Sequence, residues 1–290
     1  MRRPCLALLL AIAVAPASGQ RVAYEGSLGM TTGRYIFASR TTTVTLTTGL
    51  ALTAGPVTLR ASLPVWWQNS TLITASGPGG GTPSGGSSGG TVSDSGQGRG
   101  SGGSGGGGGS GGGGAGLALS RVDVPATAFT DFRVAVGDPM TSLSLRILSR
   151  GRWEVSLGGT VKLPLADTAH YGTGQWDVGG SASVSVRLGP GTVAGGDLSW
   201  WYLGDLPELD LKNPLGGSVS LTHLVGGRWG VSAFARASSS VVPGFTAPAS
   251  IGGGIARLGA AGMLGLEVSA GLSETSPDLG LTGYWRLAIH

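Results

Sequence analysis

The sequence predicts an all-β protein: a transmembrane, antiparallel, up-and-down barrel of about twelve strands. Three observations carry that prediction. Apolar and polar residues alternate with a period of two through segment after segment, which gives a strand two unlike faces. Short turns alternate with longer loops along the chain, the pattern of an outer-membrane barrel with tight periplasmic turns and larger external loops. The 290 residues are 40% hydrophobic but only 12% charged, with 57 glycines, too little charge for an ordinary soluble α/β enzyme.

The first nineteen residues read as a secretory signal peptide. Arg2 and Arg3 precede the apolar run 6–15, which is too short to span a bilayer, and small residues at Ala15, Ala17 and Gly19 suit cleavage. The single cysteine, Cys5, precedes that run and leaves with it, so neither a disulfide nor thiol chemistry is expected in the mature chain. Loss of the two arginines lowers the formal net charge from +4 to +2. The basic pI of about 9.6 therefore marks no nucleic-acid surface. The barrel is assigned to residues 20–290.

VAYEGSLG (22–29) is a weakly patterned first strand. In the second, Val44, Leu46, Leu50 and Leu52 share a face; Ala54-Gly55-Pro56 turns the chain into a third, where Leu59, Leu63 and Trp67 oppose Thr58, Arg60 and Ser62. Residues 77–116 hold 23 glycines in 40 positions and cannot bury apolar surface, so they read as a disordered Gly/Ser-rich insertion in an external loop. Residues 117–138 alternate again. Reading them as loop gives about twelve strands, and reading 117–136 as a hairpin about fourteen; twelve is preferred.

From residue 139 the rhythm is regular. Leu143, Leu145 and Ile147 oppose Ser144 and Arg146. In the stretch 152–177 Trp153, Val155, Leu157, Val161 and Leu163 oppose Glu154, Ser156, Thr160 and Lys162. Strands around 178–188, 192–202, 219–225, 229–236, 250–258, 263–272 and 279–289 follow. Short turns are expected at 54–56, 149–152, 189–191, 226–228 and 259–262, and longer connections at 69–138, 164–176, 204–215, 239–249 and 273–278. Both termini then lie on the periplasmic side. Trp66, Trp67, Trp153, Trp200, Tyr202 and Trp229 sit at strand ends, where aromatic girdles meet lipid headgroups.

Several short motifs from Gly137 onward are turn chemistry in a fixed order: Gly137-Asp138, Val161-Lys162-Leu163-Pro164, Gly172-Thr173-Gly174 with Asp177, and Ser276-Pro277-Asp278-Leu279-Gly280. In that order and spacing the chain resembles the outer-membrane transporters grouped under the MetA-pathway of phenol degradation. The resemblance covers some 150 residues; the first 70 match only in strand pattern. It implies a barrel, transport of small compounds with aromatic or apolar ones among them, and no enzymology. The chain departs from the family pattern in its Gly-rich insertion and in ending Ala288-Ile289-His290 rather than in an aromatic residue.

No catalytic constellation is expected, and no metal or cofactor. His170, His223 and His290 are scattered, and Ser220 and His223 point to opposite faces of one strand. Asp205, Glu208 and Asp210 read as a solvated acidic loop rather than a cation site, and Gly252-Gly253-Gly254 precedes no helix that could make a phosphate loop. The functional signal lies in the lumen. Strand parity turns Arg60, Arg146, Lys162, Arg187, Arg236 and Arg286 inward, with Glu154, Asp197 and Glu267. These charges either pair and fill a narrow lumen or line a mildly anion-favouring passage. The expected function is passive passage of small solutes across the bacterial outer membrane, with membrane lipid, the solute and the barrel-assembly machinery as partners. The alternative is a non-conducting barrel displaying its Gly-rich loop.

Overall fold

The computed structural model describes residues 20–35, 40–69, 73–74, 82–83, 132–166, 174–204, 211–241 and 244–289. The signal segment, the Gly-rich insertion, the stretch 117–131, the acidic loop positions 205–210, and His170 and His290 lie outside them.

Twelve antiparallel staves close on themselves. They are β1 (Gln20–Gly33), β2 (Thr41–Ala54), β3 (Val57–Gln68), β4 (Met140–Arg150), β5 (Trp153–Lys162) and β6 (Asp177–Gly189), then β7 (Thr192–Tyr202), β8 (Leu215–Val225), β9 (Trp229–Ser238), β10 (Ala249–Gly259), β11 (Gly262–Gly271) and β12 (Leu279–Ile289). Each pairs with its neighbours in sequence, and β1 closes the ring on β12 from Val22↔Ile289 to Thr32↔Leu279. Closure satisfies every strand edge internally, which a bilayer demands because hydrocarbon offers no hydrogen bonds. No helix among the described residues is long and apolar enough to cross a membrane; the chain crosses by strands.

The five short connections fall at 55–56, 151–152, 190–191, 226–228 and 260–261, all at one end. Gly151 shows what such a turn requires: its φ of 61° lies in the left-handed region that two-residue hairpin turns use and side-chain-bearing residues avoid. The longer connections gather at the opposite, external end. The first strand runs further than its weak pattern predicts. At one seam the staves do not match: β3 runs to Gln68, six residues beyond Ser62, the partner of Met140 at the top of β4.

That extra height leaves the upper half of β3 without β4, which pairs only with Val57–Ser62. A short strand, Arg133–Val136, takes the place by pairing with Val65–Gln68. It is the upward continuation of β4, set off by the irregular Gly137-Asp138-Pro139 and a one-residue change of register. The exposed edge is covered, and the count stays at twelve staves.

Apolar side chains face out. Leu143, Leu157, Leu198, Val219, Ile251 and Leu264 are each 47–62% exposed among the described residues. In a soluble protein such a continuous apolar surface is untenable; around a closed barrel it is the face for lipid. The inward face carries the serines, threonines and charges.

Candidate functional site: the lumen

The register fixes the lumen from the residues upward. Cross-strand partners share a face, so a ladder such as Glu25↔Arg286 or Asp197↔Ser218↔Arg236 places whole sets of side chains on one side of the wall. On the inner side these are mostly hydroxyls and charges, and the charges meet across neighbouring strands.

Glu25 on β1 is the centre of one group. Its carboxylate accepts from Arg286 Nε at 3.1 Å and from Arg60 Nε at 3.2 Å, the latter reaching across β2. Arg236 Nη2 donates to Glu267 Oε2 at 3.2 Å across β10, while its guanidinium lies 4.0 Å over the Phe234 ring. Phe234 lies flat on the wall because position 252 is glycine: a Cβ there would clash with the ring. Tyr284 covers Gly265 in the same way, between Arg286 and the level of Glu267. Near the periplasmic end Arg146 Nη1 stands 3.7 Å from Glu154 Oε2. All these ion-pair side chains are a quarter to a half exposed.

Three inward charges, Arg21 among them, lack an ion-pair partner among the described residues. Asp197, exposed, accepts a hydrogen bond only from Ser218 Oγ. Arg187, also exposed, makes no ion pair with any described residue.

At the outer rim the chemistry changes. Lys162 Nζ lies 2.8 Å from Asp177 Oδ2 and 3.6 Å from Asp138 Oδ2, with side chains only 5%, 1% and 1% exposed. Each carboxylate also holds a loop. Asp138 Oδ1 accepts from the Ala166 amide at 2.7 Å, and Asp177 Oδ1 from the Gly204 amide at 3.2 Å. The irregular link before β4, the β5–β6 loop and the β7–β8 loop thus converge on one ammonium. A second stitch joins the β9–β10 and β11–β12 loops: Ser276 Oγ donates to the Ala249 carbonyl and accepts from its amide, both at 2.9 Å, and Thr275 Oγ1 donates to the Thr246 carbonyl at 2.9 Å.

Two expectations are corrected here. Lys162 points inward by parity, yet it is sealed between two carboxylates and does not line the passage. Trp66 does not belong to a lipid-facing girdle: it shares the inward parity of Arg60 and Ser62, is 6% exposed, and lies against Gly137 and Pro64 under the incoming Arg133–Val136 strand. Trp153, Trp200, Tyr202 and Trp229 are 45–54% exposed on the outward face; Trp67 has the same parity and is half-buried. Arg257 on neighbouring β10 lies 5.9 Å over the Trp229 ring.

Sequence reasoning does not count Glu25 among the inward charges and reads Asp138 and Asp177 only as turn chemistry; the three raise the inward acids to the number of inward cations it names. Glu25 sits in the strand with the weakest pattern, and the two aspartates flank loops where parity is not readable. His223 is outward and shares a 2.8 Å hydrogen bond with Thr192, on the face opposite Ser220. Among the described residues no group of His, Cys, Asp and Glu converges to hold a metal.

Above the Arg236–Asp197 level lies a cavity of about 540 Å³. Asp197, Ser218 and Arg236 form its floor, and Val241, Phe245 and Pro277 are among the loop residues at its top.

Among solved structures the barrel is similar to an outer-membrane channel from Pseudomonas putida F1, at a TM-score of 0.60 and 12% identity over 95% of this chain and 100% of that one. The fold is an outer-membrane barrel. More distant likenesses are to the KdgM porin (TM-score 0.48, 4% identity, 92% and 99% covered) and the CymD monoaromatic hydrocarbon channel (0.46, 8%, 95% and 90%). No family model and no curated protein matches the chain by sequence.

Proposed function

We propose that this chain is a passive channel of the bacterial outer membrane, admitting small solutes through its lumen. The observation that carries the reading is the inner wall. It is lined by hydroxyls and half-exposed ion pairs and opens into a cavity of about 540 Å³ below the external loops. A barrel serving only as a display scaffold has no need of such a solvated interior. Its size is that of a site for a small organic molecule.

The likeness of its turn motifs to the MetA-pathway of phenol degradation transporters supports a cargo of compact organic molecules, aromatic or apolar ones included. The spatial arrangement adds a physical reason for three of those motifs. Gly137-Asp138 and the Lys162–Asp177 pair are the residues that clamp the outer loops, so the ordered set preserves a mouth rather than a catalytic site.

Selectivity rests with Arg60, Arg146, Glu154, Arg187, Asp197, Arg236, Glu267 and Arg286, joined by Glu25. Because the pairs cancel, the channel is only weakly selective between small anions and cations. The signal peptide delivers the chain to the periplasm, and the assembly machinery inserts it. Trp67, Trp153, Trp200, Tyr202 and Trp229 hold its vertical position in the bilayer.

Liposome swelling tests the proposal. Proteoliposomes carrying the full mature chain, or the chain without residues 77–116, should both swell in small neutral solutes. Swelling of the deleted form alone would make the insertion a gate. Swelling of neither would overturn the channel.

A further inference from the structure

We infer that the cavity beneath the β9–β10 and β11–β12 loops is a binding vestibule for amphipathic solutes carrying a cationic or strongly hydrogen-bond-donating head. The inference rests on the channel reading and names the class of solute its outer chamber retains.

The cavity is built rather than left over. Its roof is held by the Ser276–Ala249 and Thr275–Thr246 hydrogen bonds, and by Ser239 N donating to the Leu215 carbonyl at 2.7 Å. The upper lining includes Val241, Phe245, Pro248 and Pro277, and the floor carries Asp197, Ser218 and Arg236. A solute with an apolar body and a polar head can place the body against Phe245 and the prolines and the head at the floor.

The sign of that head follows from charge accounting at the site. Arg236 is the nearest cation, but Glu267 faces it at 3.2 Å and Phe234 lies under its guanidinium, so the pair adds no net charge at the floor. Asp197 has only a neutral partner, the Ser218 hydroxyl, among the described residues. Glu274, exposed at the roof, is bonded among the described residues to a hydroxyl, that of Thr246, at 3.3 Å. Thr246 itself lines the cavity. The chamber thus has a carboxylate at the floor and another behind its roof, neither matched by a cation among the described residues. An ionised carboxylate can only accept hydrogen bonds, so the complementary group is an ammonium or a hydroxyl donor. The inward cations without an acidic partner among the described residues, Arg21 and Arg187, lie toward the periplasmic ends of β1 and β6, away from this chamber.

Benzylammonium and benzoate, equal in ring and opposite in charge, are suitable probes. Isothermal titration of the intact mature barrel in a zwitterionic detergent should show benzylammonium binding at least about tenfold more tightly than benzoate. Asp197→Asn should weaken benzylammonium about tenfold, the scale of one charged hydrogen bond, while Asp197→Glu retains it and Phe245→Ala weakens both probes. Equal affinity for the two probes, or indifference to Asp197→Asn in a variant that keeps its heat-modifiable band, would overturn the vestibule. A planar-bilayer recording separates this failure from that of the channel. Binding without conductance removes the channel and leaves the vestibule. Conductance whose benzylammonium block ignores Asp197→Asn removes the vestibule and leaves the channel.

Discussion

The barrel holds the same chemistry in two settings, and the contrast separates what builds the molecule from what meets the solute. At the outer rim Lys162 is enclosed by Asp138 and Asp177, with side chains 5% exposed or less. Down in the lumen Arg60–Glu25 and Arg236–Glu267 pair at 3.2 Å each, but with side chains 25–52% exposed. Burial sets the consequences. A sealed ion cluster cannot lose one member without stranding the others away from water, whereas a solvated pair is worth little and can be remade with a passing charge. The rim cluster is therefore architecture, and the lumen pairs are the surface a solute feels.

The largest effect belongs to the rim. Lys162→Met strands two buried carboxylates and should cost about 3–5 kcal/mol. In urea titrations of the folded, heat-modifiable band it should lower the midpoint more than any single lumen substitution. Its loops should also gain protease sensitivity near Ala166 and Gly204. A midpoint within error of the parent would remove the distinction between the two regions.

Next comes Gly252→Leu. A side chain at 252 meets the Phe234 ring, and overpacking of this kind costs about 1–3 kcal/mol. It also pushes Arg236 off its aromatic bed, so reduced assembly yield should accompany altered ion preference. Normal yield with unaltered reversal potential would count against the Phe234–Arg236 stack.

In the lumen, Glu25→Gln should change stability by no more than about 1 kcal/mol, yet it frees the charges of Arg60 and Arg286. Reversal potentials in a potassium chloride gradient should move toward chloride. The smallest effect is expected of Arg187→Ala, with unchanged stability and a slight move toward potassium, because that side chain has no ion-pair partner among the described residues to strand. Loss of folding in either variant would show that these residues are built like the rim.

Most of the architecture is readable in the sequence because a barrel wall obeys one rule throughout: alternate residues face lipid. Leu143, Leu145 and Ile147, or Trp153 through Leu163, declare their face by parity alone. Even the turn positions follow, since glycine at 55, 151 and 191 stands where the backbone needs positive φ. What parity cannot supply is burial from elsewhere in the chain. Trp66 looks like a girdle residue until the Arg133–Val136 strand arrives from the far side of the long insertion and Gly137 packs on it. Lys162 reads as a pore cation until Asp138 and Asp177, each beside an irregular segment, close around it. Glu25 is hidden in the sequence because glycine and serine dilute the pattern of its strand, although it anchors two lumen arginines. The site was legible as a face, not as a set of partners.

Thiol accessibility tests the central claim, that the inner face is the path of solutes, most directly. The only native cysteine is Cys5, ahead of the expected mature start, so single cysteines report cleanly. Ser183 faces the lumen beside Asp197, and its neighbour Val184 faces lipid. With Ser183→Cys in a planar bilayer, a charged, membrane-impermeant methanethiosulfonate should reduce the single-channel current irreversibly. With Val184→Cys it should do nothing. Equal response of the two, or no response at Ser183→Cys in a conducting barrel, would contradict passage through the lumen.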